Sequence, residues 1–198
     1  MINEAALDVL FRQARTANGW LAGEVTDAQL RAAFDLMKLA PTAANAQPAR
    51  FVFLRSAAAK ERLRPALSPG NLDKTLSAPV VAIVAHDTMF HEHLPRLLPH
   101  NPAARGWFEG DSEAAVRARE QSAFRNGTLQ GAYFILAARA VGLDCGPMSG
   151  FDNAQVDREF FPDGRLRSNF LCNLGQADPA KTFARNPRFA FEDACQTL

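Results

Sequence analysis

The sequence of 198 residues has the length of a single domain, and it combines 47% hydrophobic with 22% charged residues. This balance builds a packed core and excludes a disordered chain. Its 22 basic and 21 acidic residues give a formal net charge of +1, which excludes a global positive field for nucleic acid or an anionic membrane surface. An anion bound by this chain would therefore be held by local arginines.

Cysteine usage and hydropathy indicate a cytoplasmic protein. Cys145, Cys172 and Cys195 form neither a C-x-x-C motif nor a zinc-type spacing with histidine, so we expect no disulfide framework and no metal site. The first thirteen residues lack the pattern of a signal peptide, and no apolar run approaches the roughly 20 residues of a membrane helix. We therefore expect one domain, residues 1–198, in the reducing cytoplasm.

The first half of the chain is predicted to alternate helices and strands. Thr26, with Gln29 three residues later, forms a capping box that predicts the start of a helix, and Pro41 ends it. The run PVVAIVAH at Pro79–His86 is continuously apolar and β-branched, which predicts a strand buried on both faces. The other predicted elements of this half are a helix within Glu4–Ala14, a strand at Phe51–Arg55 and a helix at Ala57–Leu67.

The second half begins with Thr88–Gly110, which has no periodicity and is expected to be a mobile excursion over the surface or over a site. A long helix is predicted from Ser112 to Val141, and its second half is apolar nearly all round, which is typical of a core or a subunit interface. The tail from Gln176 is expected to wrap over a surface. The remaining elements are strands at Cys145–Phe151 and Ser168–Gly175 and a helix at Asn153–Phe161, and together all of these predict an α+β fold.

Common catalytic motifs are missing from the sequence. There is no G-x-G-x-x-G after a strand and no P-loop, which disfavours a dinucleotide fold or a P-loop fold. Ser149 lacks the glycine two positions earlier that a hydrolase nucleophile elbow needs, because Pro147 stands there. His91 and His93 would share a face only on a strand, and nearby prolines disfavour one. A solvated loop is the favoured interpretation, and a metal-dependent enzyme that uses the histidines is an alternative.

Three short segments carry a stronger signal together. Phe11–Thr16 places arginines at the end of a helix, Ala40–Pro48 puts small and polar residues between a helix and a strand, and Gly146–Phe151 is a glycine-containing turn that lets backbone approach a ligand closely. Each segment alone is explained by ordinary structure: a helix cap, a polar connection and a tight turn. In this order and at these separations they resemble the FMN-binding nitroreductase family, and the likeness covers nearly the whole chain.

The resemblance implies an FMN site. Arg15 and Thr16 match the pair that holds the phosphate and the ribityl chain, and Arg185 or Arg188 matches the basic residue that completes the phosphate site. Asn18 stands where many members carry a lysine, so charge compensation at the flavin would fall more on Lys74. The full set of implied cofactor-binding residues, with no catalytic side chain and no metal ligand among them, is Arg15, Thr16, Asn18, Pro41, Thr42, Asn45, Asn71, Lys74, Pro147, Ser149, Gly150, Arg185 and Arg188.

Three further parts of the sequence have distinct implied roles at this site. The stretch Pro41–Ala49 matches the flavin-lining pattern P-[ST]-x-x-N-x-Q-P-W and departs from it at Ala49, where the family has an aromatic residue. Asn71 and Lys74 match polar positions that reach the pyrimidine side of the ring. Pro147–Gly150 matches the turn whose backbone faces flavin N5.

The implied activity is transfer of hydride from NADH or NADPH through the flavin to a small acceptor. The nearest likeness within the family is to malonic semialdehyde reductases of bacterial uracil degradation, which would make 3-hydroxypropionate, with Arg96 or Arg105 as a partner for the substrate carboxylate. A broad nitro or quinone reductase and a non-enzymatic flavin-binding protein are the alternatives. The phrases that carry this likeness are ART-x-NGW, LRPALSPGNL-x-KT, AFRN, GLDCGPMSGFD and FEDAC.

The resemblance also implies a nitroreductase-like fold. It consists of a central mixed β-sheet surrounded by helices, a long central helix at a dimer interface and an extended C-terminal tail. We therefore expect an obligate homodimer with two FMN sites, each built from both subunits. We expect no nucleic-acid or membrane partner.

Overall fold

A four-stranded sheet organises the computed structural model, which describes residues 2–198. Its strands are β1 (Ala49–Leu54), β2 (Val80–Asp87), β3 (Asp144–Met148) and β4 (Leu166–Gly175), in the spatial order β1-β2-β4-β3. All three strand pairs are antiparallel. The expectation of a mixed sheet is therefore corrected for these strands. The parallel contact found within residues 2–198 is an isolated bridge from Thr16 to Cys145, because the N-terminal segment meets the edge of β3 over too few residues to form a strand.

Helices cover the sheet, which confirms the predicted α+β class. The predicted capping box of Thr26 and Gln29 is present: the Gln29 amide donates to Thr26 Oγ1 over 3.2 Å, and the Thr26 amide donates to Gln29 Oε1 over 3.0 Å. The helices are α1 (Glu4–Leu7, continued by a π-helical turn at Asp8–Arg12), α2 (Asp27–Met37), α3 (Ala57–Leu63), α4 (Leu72–Leu76), α5 (Leu94–Leu97), α6 (Glu113–Ala140), α7 (Asn153–Phe160) and α8 (Phe191–Ala194).

Strand β2 lies at the centre of the core, as its sequence predicts. Every residue of the strand is buried, and alternate side chains enter two different apolar clusters because successive Cβ atoms point to opposite faces. Val80 and Ala82 pack with the cluster that contains Phe134 of α6. Val81 and Ile83 pack with the cluster on the other face, under α3 and α7. Within residues 2–198, no helix is both long and apolar enough to cross a membrane.

The 28-residue helix α6 has two unlike faces, which refines the prediction that it is apolar all round. Glycines let it lie close to the sheet: a Cβ on Gly131 would meet the Phe170 ring at 2.5 Å, and one on Gly127 would meet the His86 Cβ at 3.0 Å. On the outer face of the helix, large apolar side chains remain exposed, with Phe124 at 52% and Leu129 at 47%. Polar side chains lie between them, and the chain itself does not cover this face.

The segment from Thr88 to Gly110 is not the irregular excursion over the surface that the sequence predicts. It forms three short helices, at Phe90–His93, Leu94–Leu97 and Pro102–Phe108. Phe90, Leu94 and Ala104 are fully buried in a small apolar cluster that also contains Ala46 and Ala123. The prediction was wrong because helical turns of four to seven residues are too short to display a 3.6-residue period.

Asp87, at the end of β2, fastens this segment to the sheet. Its side chain is 2% exposed, and its oxygens accept from Arg50 at 2.8 Å and from Arg165 at 3.1 and 3.2 Å. The Met89 amide donates to the same carboxylate over 2.9 Å. Burial acts to raise the pKa of Asp87, but the hydrogen bonds from Arg165 and Met89 and the charge of Arg50 outweigh it and lower the pKa.

Asp87→Asn should therefore lower the free energy of unfolding at pH 7 by about 2–3 kcal/mol, because two arginines lose a buried partner. A carboxylate with a lowered folded pKa stabilises the protein above the ordinary pKa of about 3.9 and loses this effect as pH falls through the folded value. Urea unfolding should thus show a difference between wild type and variant that shrinks below about pH 4. Asp35→Asn, at an exposed pair with Lys38, is the control. A difference independent of pH would contradict the argument.

Candidate functional site

The N-terminal segment is held against the edge of β3. Thr16 bridges Cys145, and the Ala17 amide donates to the Cys145 carbonyl over 2.9 Å. This approach requires glycine at position 146, because a Cβ there would lie 2.8 Å from the Ala17 carbonyl oxygen. The edge of the sheet thus fixes the position of Arg15, which follows the first helix.

A cavity of about 540 Å³ opens between the first helix, the end of α6 and the C-terminal tail. We call it the arginine cavity, because four arginines line it, and among residues 2–198 none of the four forms an ion pair with a carboxylate. Three of its residues were predicted site arginines, and the predicted Thr16 and Asn18 also line it. The four arginines are Arg15, Arg139, Arg185 and Arg188.

Asn18 connects this cavity with Lys74. Lys74 Nζ lies 3.5 Å from Asn18 Oδ1. The backbone of Lys74 is fixed from two sides, because its carbonyl accepts from Trp20 Nε1 at 2.8 Å and from Asn173 Nδ2 at 3.2 Å. The half-buried ammonium group therefore lies close to Asn18, which lines the arginine cavity.

The predicted turn Pro147–Gly150 begins with the last two residues of β3. Asn71 Nδ2 donates to the Gly150 carbonyl over 2.8 Å, so this predicted pair is in direct contact. Pro147 and Ser149 line a shallow, mostly apolar depression of about 360 Å³ together with Thr128 and Phe170. The depression borders the exposed face of α6.

The segment Pro41–Pro48 lies elsewhere. Its Asn45 Nδ2 donates to the Leu97 carbonyl over 2.7 Å, which ties the segment to α5. Ala44, Asn45 and Gln47 have φ values of 53°, 50° and 42°, a left-handed backbone that is uncommon for residues with a Cβ. Asparagine adopts this backbone more readily than most residues, but a run of such residues costs free energy and is typical of segments that surrounding contacts hold in place, functional sites among them.

The predicted residues therefore fall into two groups. We call the two groups the phosphate-and-turn group and the 41–45 group. Within residues 2–198 no hydrogen bond joins them. The first contains Arg15, Thr16, Asn18, Asn71, Lys74, Pro147, Ser149, Gly150, Arg185 and Arg188, and the second contains Pro41, Thr42 and Asn45.

Arg139 is the member of the cavity that sequence reasoning missed. It lies in the last turn of α6 and donates to the Leu10 carbonyl over 3.1 Å. A basic residue in the last turn of a helix is common, because it interacts favourably with the helix dipole. The local sequence does not distinguish this helix-end role from a position in the arginine cavity, because the cavity forms only where the tail meets the first helix.

The histidines do not assemble as a metal site would require. His91 is buried in the helix at Phe90–His93, where burial and the charge of Arg119 lower its pKa. His93 instead lies 3.5 Å from Asp87. Within residues 2–198 no cluster of three or more His, Cys, Asp or Glu side chains is arranged to hold a metal ion.

The two arginines proposed for an acceptor carboxylate differ in availability. Arg105 Nε pairs with Glu109 over 2.6 Å. Arg96 is exposed on α5, next to the Leu97 carbonyl that binds Asn45. Neither of them lines the arginine cavity.

Comparison with known proteins gives a consistent result. The model of the nitroreductase family matches residues 21–175. A protein of Cupriavidus pinatubonensis is 59% identical over 190 residues, and HadB of Ralstonia pickettii is 58% identical over 190 residues; each alignment covers 96% of both chains. Both relatives are provisionally named NADH dehydrogenase/NAD(P)H nitroreductase.

Solved structures confirm the predicted fold. A provisionally assigned nitroreductase from Exiguobacterium sibiricum, crystallised in complex with FMN, has a TM-score of 0.86 at 19% identity, and the match covers 100% of this chain and 99% of that one. The provisionally assigned nitroreductase ydfN from Bacillus subtilis has a TM-score of 0.84 at 23% identity, with 99% and 100% covered. At these identities the likeness establishes the shared architecture.

Proposed function

Because this chain belongs to the nitroreductase family, we propose that it is an FMN-dependent oxidoreductase that passes hydride from NADH or NADPH to a small acceptor. The observation that carries the proposal is the arginine cavity, where four guanidinium groups meet without a carboxylate partner in residues 2–198. A phosphate monoester carries a charge of roughly −1.5 to −2 and accepts bidentate hydrogen bonds from arginine. The cavity therefore fits the phosphate end of FMN.

The other predicted residues in and beside the cavity fit the rest of the cofactor. Thr16 and Asn18 would hold the ribityl chain, and Lys74 would place its positive charge beside the pyrimidine side of the ring. Asn71 and the turn at Pro147–Gly150 would face the ring with polar side-chain and backbone groups. When bound, FMN supplies the hydride chemistry, so the protein has only to bind, orient and shield.

We further propose that the 41–45 group completes the site from a second subunit of a homodimer, each subunit being one FMN-binding domain. Two observations support this. The group is separate from the phosphate-and-turn group within one chain, and the outer face of α6, which borders the turn at Pro147–Ser149, leaves Phe124, Leu129 and Tyr133 exposed. An apolar face of this kind on one chain is typical of a surface covered by a partner.

The acceptor that we propose is malonic semialdehyde, on the basis of the sequence phrases described above. Of the two candidate arginines, the structure favours Arg96, because Arg105 is engaged with Glu109. Arg96 lies on α5, which the Asn45 side chain ties to the 41–45 group. It would therefore approach the flavin of the partner subunit and bind the acceptor's carboxylate there.

The first prediction concerns the cofactor. Purified protein should show the absorbance bands of bound FMN, which NADH or NADPH bleaches under anaerobic conditions. Arg15→Ala combined with Arg188→Ala should leave mostly apoprotein, because a phosphate dianion needs fixed positive partners. Arg31→Ala combined with Arg158→Ala removes the same charge at exposed positions outside the cavity and should keep the flavin. A wild type that binds no added FMN would refute the proposal, and bound flavin that neither nucleotide reduces would indicate a flavin carrier.

The second prediction concerns the acceptor. Arg96→Ala should raise KM for malonic semialdehyde by about 10- to 100-fold, because a charge-assisted hydrogen bond to the carboxylate is lost. KM for a neutral quinone or nitroaromatic should change little. Arg105→Ala is the matched control and should affect neither acceptor. Absence of turnover with malonic semialdehyde, alongside turnover of nitroaromatics, would refute the proposed acceptor and favour the nitroreductase activity by which the relatives are named.

The third prediction concerns the shared site. A variant of the phosphate-and-turn group (Arg15→Ala with Arg188→Ala) and a variant of the 41–45 group (Thr42→Ala with Asn45→Ala) should each lose bound flavin. Co-expression should restore about a quarter of the wild-type flavin content, because half of the dimers are mixed and each mixed dimer keeps one intact site. Sites built within one chain would restore none. Flavin content per chain in the unfractionated co-expressed protein measures the difference, and tandem-tag purification of the mixed dimers should raise it to about a half.

A further inference from the structure

The arginine cavity joins three separate parts of the chain. Arg15 follows the first helix, Arg139 lies in the last turn of α6, and Arg185 and Arg188 lie in the C-terminal tail. All three parts converge on the carbonyl groups at the end of the first helix. Arg139 donates to Leu10, and Arg185 Nη2 donates to the carbonyls of Phe11, Arg12 and Ala14 at 2.7, 2.8 and 3.0 Å.

These contacts bring like charges close together. Arg15 Nη1 and Arg185 Nη2 donate to the same Ala14 carbonyl oxygen, at 2.9 and 3.0 Å, so the two nitrogens are at most about 6 Å apart. The pKa of Arg185 is lowered by desolvation and then by the charges of Arg15, Arg188 and Arg139. The carbonyls supply only the partial charge of a helix end, so a full counter-charge is missing from residues 2–198 of the chain.

We propose that Arg139 is a further phosphate-binding residue, and that the bound phosphate joins α6, the N-terminal segment and the C-terminal tail at this cavity. The inference rests on the proposed function in taking FMN as the source of the phosphate. Arg139 is suited to the role because it is half-buried on a 28-residue helix, whereas Arg185 and Arg188 are exposed on a tail. The guanidinium group of Arg139 is therefore held in position by a helix before the phosphate binds.

The position of the C-terminal tail depends more on its contacts at the arginine cavity than on the packing of its own apolar side chains. Phe183, Phe189 and Phe191 are exposed at 74%, 84% and 65% on the single chain. Arg185 makes three hydrogen bonds to the first helix, and the repulsion among the four arginines opposes them. A bound anion removes that repulsion, so residues 184–188 should be better ordered with phosphate than without it.

The test compares two flavins that differ only in the phosphate. Arg139→Gln should weaken FMN binding by roughly 10- to 100-fold, the effect expected for loss of a charge-assisted hydrogen bond, and leave riboflavin binding unchanged. Arg139→Lys should recover part of the FMN affinity. Arg31→Gln, an exposed arginine of α2 without a carboxylate partner in residues 2–198, is the control and should alter neither flavin. Equal weakening of FMN and riboflavin would show a merely structural role and overturn the inference, as would unchanged FMN binding.

Inorganic phosphate provides an independent measurement on the full flavin-free chain. At constant ionic strength, replacing chloride by phosphate should slow hydrogen exchange of amides 184–188, and Arg139→Gln should require a higher phosphate concentration for the same protection. Exchange insensitive to phosphate would overturn the inference while leaving FMN binding to be judged by absorbance. Protection by phosphate in a protein that binds no FMN would keep the anion site and refute the proposed cofactor.

Discussion

The hydrogen bond from the Ala17 amide to the Cys145 carbonyl determines where the candidate site can form. It places the residues that follow the first helix along the edge of β3, which would otherwise present unpaired backbone groups. Gly146 permits this contact because the Ala17 carbonyl occupies the space that a Cβ would need. Arg15, Asn18 and, through Asn18, Lys74 are all located by it. The same interaction that covers a sheet edge therefore also assembles one half of a polar site.

Helix α6 connects this half with the rest of the molecule. Glycines on its inner face let it lie directly on β2 and β4. On the same buried side, the side-chain oxygen of Asn126 accepts a hydrogen bond from the Ala43 amide. The side-chain oxygen of Gln130 accepts one from the Ala49 amide. Its last turn brings Arg139 to the arginine cavity. One helix of about 42 Å thus supports the 41–45 group near its middle and the arginine cavity at its end.

The fold was predictable where the signal is local. The β-branched run of β2, the capping box at Thr26 and the length of α6 each depend on neighbouring residues, and the structure confirms them. The helices within Thr88–Gly110 were missed because their turns are short, and the ion pairs of Asp87 join residues 37 and 78 positions apart. For the candidate site, the resemblance to the family predicted the set of residues. The order of residues in the sequence predicted neither their division into two groups nor the position of Arg139 in the cavity.

The left-handed backbone of Ala44, Asn45 and Gln47 shows how the second group is maintained. Strain of this kind costs of order 1–3 kcal/mol for each residue and persists only where surrounding contacts exceed it. Asn126 fixes the start of the segment, Asn45 is tied to α5, and Gln130 fixes the start of β1. The same segment buries Ala46 in the apolar cluster of Phe90 and Leu94, so the core of the single chain also holds the strained backbone in place. The polar groups that the segment leaves at its surface are those that we propose for a site that a second subunit completes.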